Sequence, residues 1–76
     1  MANYQGVSTE ELQLQLEEAR QYRTNWKNLF LQGELDGETP ERIKYYNDKA
    51  ESYAVEVTAI ENELKMRVQG EILASA

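Results

Sequence analysis

Cysteine and histidine are both missing from this chain of 76 residues. Without thiols there is no disulfide framework and no thiolate metal site. Without imidazole the commonest general base, the commonest metal ligand and the usual pH switch are gone as well. Proline occurs once, at position 40, and glycine four times. Neither residue falls between Pro40 and Gly70, so nothing in that stretch interrupts a helix. Positive charge is scarce: 8 Lys and Arg stand against 14 Asp and Glu, for a net charge of −6 and a pI near 4.5. That balance argues against binding a phosphate backbone or an anionic membrane surface. No apolar run approaches the length of a membrane span. Residues Met1 to Gly6 carry neither the basic nor the apolar region of a signal peptide. The expectation is a soluble cytoplasmic protein, or one released without a cleaved signal, with no cofactor and no direct contact with nucleic acid or membrane.

What the sequence does contain is a heptad pattern. Ile43, Tyr46, Ala50, Tyr53, Val57, Ile60 and Leu64 step by three and four, an a/d seam. Leu12, Leu16, Ala19, Arg23, Trp26 and Phe30 follow the same steps. Folding the chain back between the two runs pairs them in one register. Phe30 meets Ile43, Trp26 meets Tyr46, Arg23 meets Ala50, Ala19 meets Tyr53, Leu16 meets Val57, and Leu12 meets Ile60. Large residues then face small ones where close packing needs it. The fold class that follows is all-α: an antiparallel two-helix hairpin, coiled-coil-like.

Local signals set the boundaries. Residues 1–7 read as a polar arm. Ser8 is the N-cap of the first helix, with Glu11 three residues on completing a capping box and Val7 and Leu12 at the positions of a hydrophobic staple. Gly33 reads as the C-terminal cap of a helix over 8–32, and residues 33–38 as the turn. Thr39 and Pro40 restart the chain as N-cap and first helical residue. The second helix then runs over 39–70, about 45 Å at 1.5 Å per residue, and a short tail covers 71–76. Because the first helix is shorter, the end of the second overhangs it.

Carboxylates are the only plentiful chemical group, and their pattern names no site. The glutamates fall off the apolar seam. The turn acids Glu34, Asp36, Glu38 and Glu41 lack the spacing of an EF-hand loop. Glu61 with Lys65 and Glu63 with Arg67 are i,i+4 pairs in the favourable order. Arg23, the polar member of the first seam, either lays its stem across Ala50 with its head in water or finds a carboxylate on a neighbouring chain and fixes partner choice.

A second stripe on helix two points outward, at Tyr45, Ser52, Val55, Ala59 and Met66. Val68, Ile72 and Leu73 follow on the overhang. These eight residues form the candidate interaction face. A two-helix fold of this size is marginal alone, so a dimer making a four-helix bundle, or a larger protein assembly, is expected to complete it. The function expected is a non-enzymatic helical interaction or assembly module, of the kind common among small bacterial and phage accessory and structural proteins. The alternative is an acidic inhibitor that occupies a basic, nucleic-acid-binding site on a target. It would use the glutamates gathered away from the turn: Glu10, Glu11, Glu17, Glu18, Glu51, Glu56, Glu61 and Glu63.

Overall fold

The computed structural model describes residues 4–75, the last two by backbone only. The remainder of the expected arm and tail, residues 1–3 and 76, lies outside the described residues. Two helices follow one another, α1 (Thr9–Asp36) and α2 (Pro40–Ser75), and pack along their length as an antiparallel hairpin. The described chain measures 57 × 19 × 17 Å.

Helix α1 begins where the capping pattern places it. Ser8 is extended, and its hydroxyl accepts the Glu11 backbone N–H at 3.1 Å. That satisfies one of the donors a helix start leaves open. The other end differs from expectation. The helix passes through Gly33, which is buried inside it, and stops at Gly37 in the left-handed conformation, φ 69°. Gly37 N–H donates to the Glu34 carbonyl, and Glu38 N–H donates to that of Gly33 at 2.9 Å. These two bonds make a Schellman cap. The turn thus shrinks to Gly37, Glu38 and Thr39. Gly33 lies instead on the packed face of the helix, where a Cβ would stand at ordinary contact distance, 3.5 Å, from the Tyr46 ring.

Thr39 and Pro40 open α2 as anticipated, with Thr39 Oγ1 accepting from Arg42 N–H at 3.4 Å. Gly70 does not end the helix, which continues to Ser75, so residues 71–75 of the expected tail are helical. A glycine weakens a helix interior by only about 1 kcal/mol and stops it only where a left-handed turn follows. With 28 residues against 36, α2 outruns α1 at the end away from the turn.

The core is one cluster: Leu12, Leu16 and Ala19 from α1, with Val57 and Ile60 from α2. These are the middle and outer layers of the register read from the sequence. Towards the turn the seam is half-buried and aromatic, with Trp26 and Tyr46 ring centroids 6.2 Å apart. The arm is less polar than its sequence suggests. Tyr4 and Val7 pack on the core cluster, and Val7 N–H closes a turn onto the Tyr4 carbonyl. Arg67 fastens that turn to α2 by donating to the Tyr4 carbonyl and to Thr9 Oγ1.

Candidate interaction surface

No polar or charged side chain among the described residues is buried, and no three of their carboxylates stand together as a metal-holding group. No helix among them is long and apolar enough to cross a membrane. What the hairpin offers other molecules is its surface, which has four distinct parts.

The face of α2 turned away from α1 carries the stripe expected from the heptads. Val55 is 71% exposed, Met66 66% and Leu73 76%. Ser52 lies open among them, and Ala59 is half-buried. Residues three and four apart share one helix face, so Ser52, Val55, Ala59 and Met66 form one row. Tyr45 departs from this row. Although half exposed, its ring meets Trp26 edge-on at 5.6 Å, and Lys49 Nζ lies 5.6 Å from its centroid. Heptad position alone misplaces a side chain long enough to reach around the helix.

Tyr45 belongs to an aromatic flank at the turn end. There Trp26, Tyr45 and Tyr46 stand in mutual ring contact, with Tyr45 and Tyr46 6.1 Å apart, and Tyr22 stacks at a tilt on Tyr53 at 5.3 Å. The seam spacing places Trp26, Tyr46 and Tyr53 in contact between helices. Tyr22 and Tyr45 join because tyrosine rings prefer offset and edge-on neighbours to water.

Towards Ser75, α2 exposes further apolar side chains. Leu64, Val68 and Ile72 follow at steps of four. Leu64 and Val68, with Glu61, Lys65 and Gln69, line an open, mainly apolar depression. Val68 is 54% exposed and Ile72 61%. Glu71 is exposed next to Ile72.

The fourth part was not legible as a site in the sequence. On one side of the interhelical seam lies a groove of about 200 Å³ lined by Ala50, Ala54 and Phe30, with Arg23, Lys27, Asn47 and Glu51 as its polar residues. It runs on past Thr24, Asn28 and Leu31. The signal available was a pair of small residues at i and i+4 on one helix facing a pair of cations at i and i+4 on the other.

Four ion pairs form among the described residues. Arg20 meets Glu61 across the helices at 3.2 Å, Arg42 meets Glu38, Lys44 meets Asp48 at 2.8 Å, and Arg67 meets Glu63 at 3.3 Å. Glu61 therefore takes Arg20 rather than the expected Lys65. The hydrogen bond from Lys44 to Asp48, and the charge of that carboxylate, hold the Lys44 ammonium above its ordinary pKa. Arg23 and Lys27, like Lys49 and Lys65, stand in none of these four pairs, and Glu51 shares the groove with Arg23 and Lys27.

Comparison with protein-family models, with curated proteins and with solved structures finds no match.

Proposed function

We propose that this chain is a non-enzymatic helical module of the cytoplasm that works by association, docking its exposed helix faces against other helices in an assembly. The observation that carries this reading is the outward row of α2, with Val55 and Met66 about two-thirds or more exposed on a face that α1 does not cover. Isolated exposed apolar residues are ordinary. A row repeating with the heptad, with Ser52 and Ala59 allowing close approach, is how one helix presents itself to another. The residue inventory supports a binding role over a catalytic one. The chain lacks histidine, the side chain that most often acts as a general base, and cysteine.

The test is to replace Val55 by Lys and Ala59 by Glu together. Both changes leave the core cluster untouched, so helicity should stay near that of the parent. Sedimentation at micromolar concentration and recovery of bound protein from a host extract should both report lost association. If neither molecular mass nor partner recovery changes, the row is plain solvent-facing surface and the reading fails.

A further inference from the structure

Tyr22 and Tyr53 are two phenols in contact, brought together from different helices in a chain that has no cysteine to crosslink. We propose that this pair is an oxidative modification site. A one-electron phenol oxidant, of the peroxidase type with hydrogen peroxide as its final acceptor, couples the two rings into dityrosine and joins α1 to α2 covalently. The proposal goes beyond the association role and does not depend on it.

Geometry is the first argument. The ring centroids are 5.3 Å apart and the planes are inclined by 34°, so the ring edges already touch before any reaction. Tyr22 lies well inside α1 and Tyr53 well inside α2. Two radicals couple only if they meet, and a fold that holds the partners together replaces a bimolecular encounter by a local one. Tyr22 is 49% exposed, so an oxidant too large to enter a core can reach it.

Selectivity is the second. Tyr45 and Tyr46 also stand close, but at 6.1 Å and 59°. They are sequence neighbours, and adjacent side chains leave a helix about 100° apart. The ammonium of Lys49 lies 5.6 Å from the Tyr45 centroid, and a positive charge over a ring opposes removal of an electron from it. The Tyr22–Tyr53 pair is the closer and flatter of the two, and it alone spans the helices.

The coupling balances as follows from the phenols. Each gives up one electron and its hydroxyl proton. The two tyrosyl radicals pair their electrons in a new bond between ring carbons ortho to the hydroxyls. Each of those carbons then releases its hydrogen as a proton, and each oxygen takes one up, which restores both phenols. The pair has lost two electrons and two protons, and one hydrogen peroxide accepts them to become two waters. The crosslink removes freedom from the unfolded chain while the folded hairpin keeps its contacts.

Treating the dilute parent chain with a peroxidase and hydrogen peroxide tests this. The product should be a single chain, two hydrogens lighter, with the blue fluorescence of dityrosine. Trypsin should release Gln21–Arg23 joined to Ala50–Lys65, which separates this link from any at Tyr4 or within Tyr45–Lys49. Y22F and Y53F, which keep a ring in place, should each abolish that product with helicity retained, whereas Y45F/Y46F should leave it. The melting temperature of the purified crosslinked chain should rise by about 10 °C or more. Coupling that joins only separate chains, or that falls at Tyr45 and Tyr46, overturns the site. So does oxidation that only adds oxygen at Trp26 or Met66 and yields no joined peptide. An unchanged melting temperature overturns the role of the link in holding the helices together.

Discussion

Arg67 Nη2 donates to the carbonyl oxygen of Tyr4 at 3.1 Å, a bond that ties the start of the described chain to α2 beyond the first turn of α1. The same guanidinium reaches Thr9 Oγ1 and the Glu63 carboxylate. One side chain thus holds the arm, the first turn of α1 and its own helix. Replacing Arg67 by Ala removes all three contacts and the packing of its stem, and should destabilise the hairpin by about 1–2 kcal/mol. Denaturant unfolding measures the loss. Amide exchange at Val7 should quicken more than exchange in the core, because its N–H partner is the carbonyl that Arg67 holds.

Ser8→Ala should cost about 0.5–2 kcal/mol, since the Glu11 N–H loses its acceptor. Ser8→Asp should restore most of it, because an aspartate accepts the same bond and suits the positive end of the helix dipole. Thermal unfolding of the three chains gives the comparison, and equal melting temperatures would mean the cap contributes nothing.

The two glycines near the turn should respond in opposite directions. Gly37→Ala places a side chain on left-handed backbone and should destabilise by about 1 kcal/mol. Gly33→Ala adds a methyl at ordinary contact distance from Tyr46 and Glu38, inside a helix, and should stabilise by about 0.5–1 kcal/mol. The reverse pattern would show that α1 ends at Gly33.

Trp26→Ala should cost about 2–3 kcal/mol, less than the value of about 3–5 for a fully buried aromatic, because the ring is half-buried against Tyr45 and Tyr46. Leu12→Ala, at the sealed end of the core, should cost about 2–5 kcal/mol. A double-mutant cycle on Tyr22 and Tyr53 should give a coupling of about 0.5–1.5 kcal/mol. Additive losses there would show the stacked pair to be incidental.

How far the sequence led is clear from particular residues. Leu12, Leu16, Ala19, Val57 and Ile60 were legible as core because a heptad seam is a property of spacing, and spacing survives folding unchanged. Ser8 and Thr39 were legible because a cap depends on its own next turn. Gly33 and Gly70 were misread because a glycine can cap a helix or thin it, and only the neighbour decides. Gly33 faces Tyr46, and a rival glycine four residues later takes the left-handed position. Tyr45 was read as outward and is half exposed, though its ring also reaches Trp26, while Tyr4, read as part of a polar arm, packs on the core. The outward row of α2 was read from its apolar steps. The groove was missed, because it exists only once Ala50 and Ala54 stand beside Arg23 and Lys27.

A body 57 Å long and under 20 Å wide is also an oriented array of peptide groups. In both helices the N–H bonds run close to the helix axis, and both axes lie along the rod. Nearly every amide therefore reports the same direction. In a weakly aligning medium their residual dipolar couplings should crowd towards one extreme value, and slow end-over-end tumbling should dominate their relaxation. Side-by-side association along the rod leaves a bond axis parallel to itself. Dimerisation should slow the tumbling while keeping the couplings crowded together, so one amide spectrum can register mass and orientation separately.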